Sequence, residues 1–143
     1  MSDDSRPLSQ IQTQRLLLSH WTLDEAADFH RIWGDPEVIW WGASPSLKES
    51  EERLKAIIER AAAWPEGYGG FAVRIPSGKV VGNVMLQPAK SVPSEIEIGW
   101  HFVKAQQGQG FATEAAQALL VRGFRLLDLP RIIAPIVPDN VAS

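Results

Sequence analysis

The stretch Gln106-Gln107-Gly108-Gln109-Gly110-Phe111-Ala112-Thr113-Glu114 sets two glycines between an alternating apolar segment and an alanine-rich one. Glycine adopts positive φ without steric cost and lets a bulky ligand approach the backbone, and the first N–H groups of a helix have no partner inside it. Such a turn can hold an anion, a phosphate above all, on backbone donors at the positive end of a helix dipole. A plain strand-to-helix turn has the same spacing, so Gly-x-Gly alone does not decide. Just upstream, Glu97, Gly99 and His101 share one face of an alternating segment, opposite Ile96, Ile98, Trp100 and Phe102. A carboxylate at 97, with small Gly99 leaving room beside it, can take a proton from a substrate or a water. A structural hydrogen bond to a neighbouring strand accounts for Glu97 equally well. His101 ranks second as a base, because a bulge would turn it to the other face.

These groups need a sheet and a helix to hold them. Residues 1 to 10 are polar and aperiodic and read as a flexible arm, followed by a single domain over 11 to 143. Thr13 to Trp21 reads as a first strand. Thr22-Leu23-Asp24-Glu25 is a capping box opening a helix with Leu23, Ala26, Ala27 and His30 on one face, ended by Gly34 and Pro36. Adjacent Trp40 and Trp41 read as core or lid packing rather than as walls of a cleft. Ser46-Leu47-Lys48-Glu49 repeats the capping box, and Leu54, Ile57, Ile58 and Ala61 give an amphipathic stripe that ends near Trp64-Pro65. Phe71–Ile75 and Val80–Leu86 flank Pro76-Ser77-Gly78-Lys79 as a hairpin. After the glycine turn, Ala112, Ala115, Ala116, Leu119, Gly123 and Leu127 form a small-residue helical face stopped by Pro130, and Arg131 to Val137 reads as a last strand.

At 143 residues the chain supports one sizeable core. Its 45% hydrophobic and 22% charged content is that of a globular protein, with no apolar run near the ~20 residues a membrane span needs. Met1-Ser2-Asp3-Asp4 lacks the basic start of a signal peptide, so a cytoplasmic protein without membrane partners is expected. With no cysteine, thiolate metal sites and thiol nucleophiles are excluded. His20 and His30 lack metal-ligand spacing, and no metal is expected. A formal charge of −3 argues against a nucleic-acid surface.

Gln107-x-x-Gly110-x-Ala112 resembles the Arg/Gln-x-x-Gly-x-Gly/Ala pyrophosphate fingerprint of the GNAT superfamily of N-acetyltransferases. Four further stretches are similar to the branch that modifies N-termini of ribosomal proteins: Thr13 to Leu18, Glu97-Ile98-Gly99-Trp100, Gly110 to Ala115, and Pro138-Asp139-Asn140-Val141-Ala142-Ser143. The resemblance implies an α+β, acyl-CoA N-acyltransferase (GNAT) fold with a central mixed sheet flanked by helices, truncated after the fifth strand and so incomplete at its C-terminal end. It implies acetyl-CoA as co-substrate, its pyrophosphate on the backbone of Gln107, Gly108, Gln109, Gly110, Phe111, Ala112 and Thr113. The pantetheine arm would add to main chain at Phe102, Val103 and Lys104, and Asn140 would contact the coenzyme. Gln107 is neutral where relatives often place Arg, so the backbone would carry more of the anchoring. Glu114 is expected to turn away from phosphate or to pair with a basic group.

The reaction implied is direct acetyl transfer to a primary amine, of a protein N-terminus or a small molecule. It needs a base, here Glu97, and an acid for the departing thiolate, which the resemblance assigns to Ser143. Relatives continue through strands that wall the acceptor cleft. A coenzyme A-binding or regulatory protein with impaired catalysis is therefore the alternative expectation, and an exposed sheet edge favours a homodimer.

Overall fold

The computed structural model describes residues 10–38, 44–65, 67–89, 92, 94–125 and 127–134. Strands β1 (Gln10–Gln12), β2 (Leu17–His20), β3 (Gly69–Arg74), β4 (Val80–Pro88) and β5 (Ile96–Phe102) form one antiparallel sheet, each against its neighbour in sequence. Helices α1 (Ala26–Trp33) and α2 (Leu47–Ala62) cover one face and α3 (Phe111–Arg125) the other. Two cores result. Leu18, Phe71, Val73, Val84, Leu86, Ile98 and Phe102 meet Ala115, Ala116 and Leu119 of α3. On the opposite face Trp21, Ala72 and Val80 meet Phe29, Ile32 and Trp33 of α1 and Leu54 of α2. Small residues on α3 let it lie close: a Cβ on Gly123 would sit 2.8 Å from Ile132 Cδ1.

The α+β class follows the expectation, as do the β3–β4 hairpin and β5. Gly78 has φ 91°, and its N–H reaches Ile75 O at 2.9 Å to close the turn. Ser46 and Glu49 form the full capping box, with bonds of 3.0 and 3.1 Å.

Several boundaries differ. The predicted strand from Thr13 to Trp21 is a hairpin, since the Thr13 hydroxyl takes the Leu16 N–H (3.0 Å) and folds the chain back, and its first strand begins at Gln10. In α1 the buried stripe is Phe29, Ile32 and Trp33, while Leu23 is exposed. The larger apolar side chains compete for the core more strongly than Leu23, Ala27 and His30. A 3₁₀ turn, Leu23–Glu25, precedes that helix, with the Glu25 carboxylate reaching back to the Thr22 N–H at 3.0 Å. Helix α3 stops at Arg125, before Pro130, and Asp128 takes φ 53°.

The expected mixed sheet is antiparallel through all five strands. Its one parallel contact among the described residues is a bridge between Glu97 and Ile133, held by Ile98 N–H to Ile133 O (2.8 Å) and Ile133 N–H to Ile96 O (2.9 Å). The end of the predicted strand from Arg131 to Val137, with Asn140 and Ser143, lies outside the described residues, as do Trp40 and Trp41.

Candidate active site

The glycine turn leaves β5 through a 3₁₀ turn, Lys104–Gln106, and enters α3. Gly108 and Gly110 hold φ 83° and 78°, the left-handed backbone that glycine adopts freely. The Gln107 N–H is taken by Lys104 O, and the Glu114 N–H by Gly110 O. Between them, the N–H groups from Gly108 to Thr113 have no partner among the described residues. The Gln107 side chain turns back to Phe102 O at 3.1 Å, and Gln109 reaches Ala105 O and Gln106 Oε1. Both glutamine side chains therefore brace the loop.

Glu114 does pair with a base. Arg15 Nε lies 2.7 Å from Glu114 Oε1, and the Arg15 N–H and Thr13 hydroxyl donate to Oε2 at 2.9 and 2.5 Å. Arg15 also donates to Gln109 O at 2.9 Å, and its guanidinium lies 4.6 Å over the Phe111 ring. One cation thus fastens the β1–β2 turn to the loop and to the start of α3, close to where an anion would sit. Sequence reasoning missed this role because the contact spans about a hundred residues.

Desolvation alone would raise the Glu114 pKa; the bonds from Thr13 and Arg15 outweigh it and hold the group below its ordinary value of 4.5. The stability this clasp contributes is full above that unfolded value and is lost as pH falls through the lower folded one. Glu114→Gln is expected to cost about 1–2 kcal/mol at neutral pH. In urea titrations across pH, the gap between variant and parent should close in acid; a gap independent of pH would contradict the charge-based account.

Along β5, Val103 donates to Val81 O at 3.0 Å, and its carbonyl accepts from Gln106, so its main chain is fully engaged. Odd positions of β5 face β4, and the even ones, Trp100 and Phe102, face outward. Past Ile98 this outer edge has no strand against it among the described residues. The main chain of Trp100 and the N–H of Phe102 are therefore left for strand addition, the Phe102 carbonyl being held by Gln107, where the sequence pointed to Phe102, Val103 and Lys104.

The face under α1 and α2 carries Glu97, Gly99 and His101 opposite Gln87, Met85 and Asn83, with no bulge between the strands. Glu97 is half-buried and accepts from Gln87 Nε2 at 3.0 Å. The room expected beside Gly99 is bordered by flexible Met85, whose Cγ would lie 3.4 Å from an added Cβ. His101 packs on Trp33, ring centroids 4.6 Å apart. Burial first, and Arg53 second, lower its pKa to about 4, so it is neutral at pH 7. Trp21 Nε1 donates to Asn83 Oδ1 at 2.7 Å, which turns the Asn83 amide nitrogen toward His101 Nδ1 at 3.5 Å. With so low a pKa, His101 is a weak base for a substrate proton. His20 stacks on Phe71, and His30 meets Ser50 Oγ at 2.7 Å.

The acetyltransferase (GNAT) domain family matches residues 15–143. An uncharacterized N-acetyltransferase, YnaD, of Bacillus subtilis (strain 168) is 51% identical over 138 residues, covering 93% of this chain and 76% of that protein. An acetyltransferase of the GNAT family from Bacillus anthracis aligns with a TM-score of 0.78 at 26% identity, over 94% of this chain and 77% of that one. RimL, a ribosomal L7/L12 α-N-protein acetyltransferase solved in complex with coenzyme A, shares the fold with a TM-score of 0.76 at 17% identity, over 92% and 76% of the two chains. A glycine cradle between strand and helix, in a sheet flanked on both faces, agrees with these matches, and the chain belongs to the GNAT acetyltransferase family.

Proposed function

We propose that the protein is an acetyl-CoA-dependent N-acetyltransferase that moves the acetyl group directly to a primary amine. One observation carries this reading: the N–H run from Gly108 to Thr113, unpartnered among the described residues, adjoins the edge of β5 that no described strand covers past Ile98. The run suits a pyrophosphate, and the edge suits an extended amide-bearing arm. Acetyl-CoA, when bound, supplies an activated thioester. The absence of cysteine from the chain favours direct transfer over a thiol-linked acyl-enzyme.

Glu97 is the base in this reading. Its bond from Gln87 fixes the carboxylate on the face that α1 and α2 cover, and a second oxygen remains to take a proton from an ammonium or a bridging water. Glu97→Gln is expected to lower kcat by about 10²–10⁴, the usual worth of a general base, with acetyl-CoA affinity held. Thiol release from acetyl-CoA over a panel of primary amines, beside calorimetric titration of the coenzyme, tests both claims. Tight coenzyme binding without turnover would instead favour a coenzyme-binding or regulatory protein, and an unaltered rate in Glu97→Gln would remove Glu97 as base.

A further inference from the structure

Arg53 has no carboxylate partner among the described residues; its guanidinium lies 4.4 Å from the centroid of the Trp33 ring. Trp33 is only 9% exposed, yet its Nε1 is a buried donor with no hydrogen-bond partner among the described residues. Leaving such a group unpaired is costly, and a native site that does so calls for an acceptor from outside. The same ring packs on His101, one residue before the Phe102 end of the open strand edge. A positive charge and a donor without a described partner thus lie beside His101, on the sheet face that also carries Glu97, and among the described residues no carboxylate pairs with Arg53. One helical turn along α2 from Arg53, Ile57 borders a groove of about 370 Å³ shared by His20, Trp21, Ala61, Trp64 and Tyr68, mostly apolar.

We propose that this face takes an amine acceptor carrying a carboxylate and an apolar side chain, the chemistry of an apolar α-amino acid. The carboxylate accepts from Trp33 Nε1 and faces Arg53, and the side chain enters the groove beside Ile57. Neither the glycine cradle nor Glu97 specifies this. The inference rests on the acetyl-transfer reading for its reaction, and on Trp33 and Arg53 for its ligand.

The test compares L-phenylalanine, L-phenylalaninamide and 2-phenylethylamine, which share an amine and a ring and differ at the carboxylate. The kcat/KM for phenylalanine is expected to exceed that for phenylethylamine by about tenfold or more, equivalent to one charge-assisted contact. Arg53→Gln should collapse that ratio toward one, and Lys55→Gln, exposed on the same helix, should leave it in place. In protein labelled with ¹⁵N-tryptophan, the indole cross-peak assigned by its loss in Trp33→Phe should shift on titration with N-acetyl-L-phenylalanine. Transfer to phenylethylamine with no preference for phenylalanine would overturn the carboxylate subsite and leave acetyl transfer standing. A Trp33 shift without transfer to any amine would support the subsite and overturn acetyl transfer. Neither a shift nor transfer would overturn both.

Discussion

Gly110→Val is expected to weaken acetyl-CoA binding by about 100-fold or more while circular dichroism still reports the parent fold, the loss of about two charge-assisted bonds to the pyrophosphate. Gly110 sits at φ 78°, where a β-branched residue is strongly disfavoured. A Cβ there would lie 3.3 Å from Arg15 Nη2, so the added bulk presses on the cation that ties the loop to α3. The backbone relieves both by rotating, and the N–H groups on either side then no longer converge. Gly108 provides the contrast. It has φ 83° but no atom within 4 Å of an added Cβ, so Gly108→Ala meets backbone strain alone and should lose about tenfold or less. Calorimetric titration of the parent and both variants decides the matter; equal affinity for parent and Gly110→Val would move the pyrophosphate elsewhere.

Gly82→Ala should reduce stability by about 3 kcal/mol, at the upper end of overpacking costs. Gly82 is buried in β4 directly across from Phe102, and a Cβ would lie 2.5 Å from two carbons of that ring. The ring has little room to yield, being 4% exposed within the core beneath α3. Any movement of Phe102 also shifts the carbonyl that Gln107 grips, so the damage spreads to the cradle. Urea denaturation measures the first effect. In the double variant with Phe102→Leu the two costs should be less than additive, since the smaller side chain frees the space the methyl needs. A Gly82→Ala protein as stable as the parent would mean that the strands can part without loss.

The cradle was legible in the sequence because everything that makes it is local: positive φ at Gly108 and Gly110, and the open N-terminus of the helix that follows. Period-two alternation assigned Ile98 and Phe102 to the core and Glu97 and His101 to the other face correctly, because no bulge interrupts β5. Where distant segments meet, local pattern was silent. Thr13 and Arg15 read as strand residues, and only the tertiary fold shows them holding Glu114. The outward direction of Trp100, in place of Val103, depends on which carbonyl of β4 receives the Val103 N–H, a pairing no single segment encodes. His101 looked like a spare base until its burial against Trp33 showed why it stays neutral. Residues Asn140 and Ser143 lie outside the described residues.

The sheet's sequential order also bears on how the protein assembles. Each strand pairs with its chain neighbour, so the ladder can form by adding one hairpin or one helical connection at a time. The contact between Thr13 and Glu114 instead closes a loop of 101 residues. Such a closure carries the larger entropy cost. A coenzyme held at Gly108 to Thr113, as proposed above, would then act as a staple on that closure. Amide hydrogen exchange in the β1–β2 turn should slow when acetyl-CoA is present, although the turn lies far along the sequence from the helix proposed to meet the coenzyme.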